Sequence, residues 1–290
     1  MTSDQTIKGI LTAFAAFLIY SLSDASVKLI EGGLSPYESA FLGAVFGLSA
    51  IPFMLKRGDR WTVVFETRKR RLWLMRFVAT GIATAASVTA FTLLPMAEAF
   101  ALIFLLPSFV TILSVIALRE KVGVKRWSAV VIGFIGVLAV LRPGFRELGT
   151  GHVAALLTAV GAAVNIIGMR AAGPGESRAA LYGSNVLGVL VICGIAMAPV
   201  FAWPTTEQWL LLAGYGLLAA FANVLLMIAT QSAPAAYIGP TQYSQMLWGI
   251  LLGYLIFGDG VDAPMIVGMA LIIASGLLTL WREKKKGIIS

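Results

Sequence analysis

The chain has 290 residues, of which 59% are hydrophobic and 12% charged, and its mean hydropathy is +0.88. A soluble domain is about 45–50% apolar and roughly 25% charged, so the excess apolar surface must face lipid and the soluble classes are excluded. The net charge of +8 sits in short clusters between apolar runs, as at Arg68-Lys69-Arg70-Arg71 and Lys284-Lys285-Lys286; that is topogenic charge on one membrane face, not a nucleic-acid groove.

A helix needs about 20 apolar residues to cross the hydrocarbon, and charges, Gly and Pro divide the chain into ten such runs. The first, 9–30, is too long for a signal-peptide core and stays as a span. Asp24 and Lys28 lie on one face of its outer half, four residues apart. An ionisable group inside a span costs roughly 2.5–3.5 kcal/mol at the helix centre. Either the two neutralise each other against protein, or Asp24 meets a substrate amine or carries a proton. Tyr20, one turn earlier, is a candidate apolar wall. The second span, 36–55, has no basic residue between Glu38 and Lys56. The third, 72–94, carries a stripe of Thr80, Thr84 and Ser87, with Ser87 a candidate substrate contact; the alternative is bonding to the preceding carbonyl.

The third span meets the fourth, 97–118, at Pro95. Proline disfavours helix for the residue before it, which predicts a tight hairpin rather than one long helix. Glu98 opens the fourth span as an N-terminal cap or a vestibule group. Phe100 and Phe104 are further candidate walls. Pro107 in mid-span predicts a kink that frees the carbonyl of Ile103 and acts as a hinge. In the fifth span, 124–141, Ala129, Gly133 and Gly136 form a close-packing surface.

The remaining spans read as 152–172, 179–202, 208–230, 236–257 and 263–281. Asn165 and Asn223 sit near the middle of the sixth and eighth, and Gln242 and Gln245 lie three apart in the ninth. Each amide offers two donors and an acceptor, a match for zwitterions and polar metabolites; for all four the alternative is helix-to-helix bonding, worth about 1 kcal/mol per bond. Tyr237, Thr241, Ser244 and Trp248 form one stripe along the ninth span, and Tyr237, Thr241 and Trp248 join the candidate contacts. Pro234 predicts a second hairpin, and Glu120 and Asp259 read as interfacial anchors.

With a cytoplasmic N-terminus, 19 of the 22 Lys and Arg residues fall inside, and only Lys28, Arg142 and Arg146 outside. Both termini are therefore expected in the cytoplasm of a bacterial inner membrane. Cys193 and His152 are each the only residue of their kind, so neither a disulfide nor a zinc site can be assembled. No metal or cofactor is expected.

Sliding the chain by 139 residues places Pro95 over Pro234 and Glu120 over Asp259; sliding by 142 places Gly9 over Gly151 and Lys28 over Arg170. Marks recurring in order at span ends read as a duplication with halves 1–146 and 147–290. Five is odd, so the copies cross the bilayer in opposite senses, the inverted-repeat plan of many secondary transporters.

These residues resemble the drug/metabolite transporter superfamily, specifically the EamA-type exporters with ten spans, over nearly the whole chain. The resemblance rests on the run from Tyr20 to Lys28, on Asn165 and Arg170, and on Pro107 followed by Leu118-Arg119-Glu120-Lys121. It continues through Pro240-Thr241-Gln242-Tyr243, Gly258-Asp259 and Gly268. Tyr20 stands where the family usually has Trp, Ala162 occupies its repeat position, Met246 replaces a second Pro, and Asp259 replaces Glu. The resemblance implies an all-α integral membrane protein of ten helices in two inverted five-helix repeats. It looks most like bacterial amino-acid exporters of the YddG kind.

Function then reads as a secondary transporter exporting small amphipathic metabolites, aromatic and hydrophobic amino acids among them, by alternating access. No P-loop is present to use ATP. An intramembrane enzyme would need partnered groups at depth, and a channel would show charged rings or a filter; these are the alternatives, beside a superfamily transporter for other metabolites or drugs. The expected partners are a small-molecule substrate and the lipid bilayer, without nucleic acid, for a monomeric chain. The site is expected where the first, third and fourth spans face the sixth, eighth and ninth, bringing Tyr20, Asn165, Gln242, Gln245 and Trp248 to one ligand.

Overall fold

A computed structural model describes residues 3–30, 33–55, 60–65, 67, 69–141, 148–173, 177–233, 238 and 240–285. In chain order the α-helices are α1 (Ser3–Lys28), α2 (Pro36–Gly47), α3 (Ile51–Met54), α4 (Arg70–Leu93), α5 (Met96–Ile103) and α6 (Leu106–Leu118). They continue as α7 (Val124–Leu141), α8 (Thr150–Ala172), α9 (Arg178–Met197), α10 (Thr206–Ser232), α11 (Tyr243–Phe257) and α12 (Ala263–Lys285). Seven runs among the described residues are long and apolar enough to cross a bilayer, with α2–α3 and α5–α6 each making one run. Three shorter apolar helices, Trp127–Leu141, Tyr243–Phe257 and Ala263–Leu278, stand where the fifth, ninth and tenth spans are expected.

Local chemistry sets the helix ends. Ser35 Oγ accepts from the Glu38 N–H, and Ser177 Oγ from the Ala180 N–H, 142 residues further on. Thr205 and Gln208 cap α10 reciprocally. Arg119 ends α6 and Gly258 ends α11, both in the left-handed region (φ 53° and 66°) and 139 residues apart. At each, the following N–H reaches back six residues, from Glu120 to Ser114 and from Asp259 to Gly253. The 139-residue spacing found in the sequence is therefore repeated in backbone geometry.

Only Leu94 and Pro95 separate α4 from α5, which is the tight connection expected there. The Pro234 hairpin lies outside the described residues. Pro107 does more than kink its span. After α5 stops at Ile103, Phe104 and Leu105 turn, and Pro107 falls in the first turn of α6, where its missing N–H costs nothing. The ninth span has a comparable interruption: residues 240–241 are helical, Gln242 turns, and α11 starts at Tyr243.

The most extensive packing is of α1 along α10, α4 along α8, and α7 along α12. Exchanging the first five spans for the second five maps α1·α10 onto α8·α4, α4·α9 onto α10·α2, and α6·α8 onto α11·α1. Small residues make these approaches possible. At the α7–α12 crossing a Cβ on Gly136 would come within 2.7 Å of the Gly268 carbonyl oxygen, and Gly133 faces Ser108 and Ser275. The largest buried cluster gathers Phe91, Met96, Phe100, Leu102, Phe104, Tyr243 and Met246 around the α5 helix.

Candidate functional site

Small side chains on facing helices leave room that larger ones would fill. Ala83, Gly161, Ala162 and Ala219 lie along a cavity of about 430 Å³ between α1, α4, α8 and α10. Tyr20, Ser23, Asp24, Ser87, Asn165 and Tyr215 supply its polar and aromatic surface. A second lobe of about 240 Å³ extends between α2, α4, α9 and α10 and is lined by Tyr182, Asn185 and Asn223, among others. Thr80, Thr84, Tyr215 and Ala219 line both lobes and mark their junction. The main lobe alone falls in the usual range of small-molecule sites, about 300–1,000 Å³. A wider groove of about 700 Å³ runs outside, past the exposed side chains of Ile82, Val153 and Leu157, and shares no lining residue with the cavity.

Asp24 is the one charged side chain among the described lining residues. Its Oδ2 accepts from Gln245 Nε2 at 3.1 Å, tying α1 to α11. Ser21 Oγ donates to the Gln245 carbonyl at 3.1 Å, and Ser23 Oγ to the Tyr215 carbonyl at 2.7 Å. The neutralising Asp24–Lys28 pair is not formed. Lys28 is buried and donates from Nζ to the carbonyls of Leu94 (2.8 Å) and Phe91 (3.5 Å), with the Phe257 ring 4.9 Å away. The end of α4 leaves carbonyls without helical partners, and a cation beside them is favoured.

A polar girdle lies where the two lobes meet. Arg76, which sequence counting places at a helix end, is buried and donates to Ser184 Oγ, Asn185 Oδ1 and the carbonyls of Asn165 and Leu181. Asn185 Oδ1 also accepts from Thr80 Oγ1 at 3.1 Å and from Asn165 Nδ2 at 2.8 Å. Asn165 Nδ2 donates to Thr80 Oγ1 as well. Thr80 thus bonds across helices, whereas Thr89 and Thr92 bond to preceding carbonyls.

Of the expected contacts, Tyr20, Asp24, Ser87 and Asn165 meet at the main lobe, and Asn223 reaches the second lobe, its Nδ2 donating to the Ala219 carbonyl. Gln245 stands behind Asp24. The others fall elsewhere. Phe100 is buried with its ring against Gly249 and edge-on to Phe91, and Phe104 packs against Tyr243. Both rings belong to the core, and Gly249 leaves the space that Phe100 fills. Thr241 is buried and donates to the Ile238 carbonyl at 2.6 Å. Gln242 sits at the turn before α11, and Trp248 is half-buried with a sealed Nε1 that has no partner among the described residues; neither lines the cavity. Tyr237 lies outside the described residues. Sequence reasoning missed Tyr182, Asn185 and Tyr215. The amide rule that selected Asn165 and Asn223 applies equally to Asn185, and the tyrosines inside the seventh and eighth spans were a usable signal.

Glu98 is neither a simple cap nor a cavity group. Its Oε1 lies 3.0 Å from His152 Nε2, and both residues are buried. The Gly149 N–H donates to His152 Nδ1 at 3.0 Å. That bond requires a lone pair on Nδ1, so Nε2 carries the proton and donates to Glu98. Asp259 is a cap rather than an anchor: its Oδ2 accepts from the Met96 N–H at 2.9 Å, at the start of α5. Among the described residues no group of three His, Cys, Asp or Glu side chains could hold a metal.

Similarity to known proteins agrees with this architecture. The profile of the EamA-like transporter family matches twice, at residues 7–142 and 149–281. The chain is 28% identical over 287 residues to a riboflavin transporter of Rhizobium johnstonii, covering 97% of this chain and 94% of that protein. It is 24% identical over 281 residues to an S-adenosylmethionine uptake transporter of Rickettsia prowazekii, covering 96% and 94%. A riboflavin transporter of Vibrio cholerae is 27% identical over 278 residues, covering 95% and 93%. A protein crystal structure superposes with a TM-score of 0.64 at 16% identity, over 98% of this chain and 99% of that one. With both matched segments together spanning most of its length, an all-helical membrane architecture and a cavity among its spans, the chain belongs to the EamA-like transporter family.

Proposed function

We propose that this protein is a secondary transporter that moves flat, polar metabolites of neutral or positive charge, with the cavity around Asp24 and Tyr215 as its substrate site. The observation that carries this reading is the lining itself: three tyrosine rings, Tyr20, Tyr182 and Tyr215, one carboxylate, Asp24, and the amides of Asn165, Asn185 and Asn223. Aromatic rings accept flat ligands on their faces. A carboxylate in a low-dielectric wall favours cations and repels anions. The names of the relatives, riboflavin and S-adenosylmethionine transporters, fit such a class. Amino-acid export, the finer expectation from sequence, has less support, because the similar proteins are named as riboflavin and S-adenosylmethionine transporters rather than amino-acid exporters.

Transport proceeds by alternating access between two halves, 1–146 and 147–290, that cross the bacterial inner membrane in opposite senses, with both termini in the cytoplasm. The recurring caps at spacings of 139 and 142 residues support that plan. Uptake of labelled riboflavin, S-adenosylmethionine and phenylalanine into proteoliposomes tests the reading. Saturable movement of the first or second, with little of the third, is the expected result. Movement of phenylalanine alone, or of none of the three, would overturn it.

A further inference from the structure

We infer that the girdle at the junction of the two lobes is a polarised recognition edge: Asn185 offers an amide donor, Asn165 a carbonyl acceptor, and together they select a substrate with an amide, lactam or imide edge. This deepens the proposed function and rests on the cavity being the substrate site.

The assignment follows from donor and acceptor bookkeeping that starts at Arg76. A guanidinium only donates, so the Asn185 atom 3.2 Å from Arg76 Nη2 must be the oxygen, Oδ1. That oxygen also faces an amide atom of Asn165 at 2.8 Å, which must therefore be a donor, Nδ2. Thr80 closes the ring. Its hydroxyl gives its one proton to Asn185 Oδ1 at 3.1 Å and accepts the second proton of Asn165 Nδ2. Every proton in the ring is then placed, and neither amide can turn over without setting two donors or two acceptors against each other.

Two atoms are left over. Asn185 Nδ2 and Asn165 Oδ1 have no hydrogen bond among the described residues, and neither is sealed from solvent. Asn185 lines one lobe, Asn165 the other, and Thr80 both. A ligand spanning the junction, where Tyr215 and Thr80 line both lobes, therefore meets a fixed N–H donor from the Asn185 side and a fixed carbonyl acceptor from the Asn165 side. The complement is a carbonyl beside an N–H, as on the edge of a lactam or cyclic imide. Arg76 is a positioning residue: it touches no ligand but sets the direction of both amides.

Riboflavin, whose ring carries an imide N–H between two carbonyls, and its N-methyl imide analogue are the probes. Quenching of flavin fluorescence by the purified protein in detergent reads binding without requiring transport. The expected result is that N-methylation weakens binding about ten- to hundredfold, the cost of leaving the Asn165 carbonyl unpaired. In Asn165→Leu the two probes should bind alike, and in Asn185→Asp, which replaces the donor with an oxygen, riboflavin should bind as poorly as the analogue binds the parent. Arg76→Lys should keep the discrimination and Arg76→Gln should lose most of it. Equal binding of the two probes to the parent, which requires no variant to fold, or no riboflavin binding at all, would overturn the inference. Binding with discrimination but no transport would sink the transport reading and leave the edge standing; flavin transport without discrimination would do the reverse.

Discussion

The His152–Glu98 contact is a load path between the two halves of the chain, and its removal has a size that can be worked out. In His152→Ala, Glu98 Oε1 loses the Nε2–H donor at 3.0 Å and the Gly149 N–H loses its acceptor at the start of α8. A hydrogen bond to a charged group is worth about 1.5–3 kcal/mol, and an N-terminal cap about 1 kcal/mol. Bonds between membrane helices fall toward the low end of such ranges, since the unfolded chain in a membrane also finds partners. The substitution should therefore cost about 2–4 kcal/mol. Glu98→Gln keeps an acceptor for Nε2–H and should cost under about 1 kcal/mol. Equilibrium unfolding of the purified protein in mixed micelles, run as a cycle of Glu98→Ala, His152→Ala and the double variant, isolates the pair from the other contacts of Glu98. A coupling of about 1–3 kcal/mol is expected. Additive effects, or a Glu98→Gln variant as damaged as His152→Ala, would refute the bonding pattern.

Gly136→Leu should abolish recovery of monodisperse protein, because a Cβ there already reaches the Gly268 carbonyl oxygen at 2.7 Å, whereas Gly123→Ala, with nothing within 4 Å, should be silent; size-exclusion profiles decide. Phe104→Ala should cost about 3 kcal/mol of stability and leave the KM for transport unchanged, and a raised KM at full stability would put the ring in the cavity. Asp24→Asn should be recovered in normal amounts yet transport cationic substrates at least about tenfold more slowly, with Gln245→Ala in between, since Gln245 acts through the Asp24 carboxylate. Parental rates in Asp24→Asn would leave Asp24 a structural residue.

The spans were legible because length, hydropathy and proline are local properties. α4 ends at Leu93 and α6 at Leu118, within a residue of where the sequence placed them. The recurring marks at 139 and 142 residues were legible for the same reason. What could not be read was which polar groups meet. Asp24 and Lys28 share a face of α1, but their partners, Gln245 and the Leu94 carbonyl, are 221 and 66 residues away. Charge counting treats Arg76 as one more inner-face cation, although its guanidinium is held by α8 and α9. Phe100 and Phe104 carry the same apolar signal whether they face a ligand or a core. The deciding fact for Phe100 is Gly249, on another helix, which admits its ring.

The two-lobed cavity is proposed as the path of the substrate. Ala219 lines both lobes at their junction, so Ala219→Trp fills the path with an indole while leaving Asp24, the girdle and the helix caps in place. Initial uptake of whichever metabolite the parent carries, normalised to folded protein in the same vesicles, is the measurement. Uptake at the level of empty vesicles is expected for a variant recovered in parental amounts; parental uptake through the filled cavity would rule out this path.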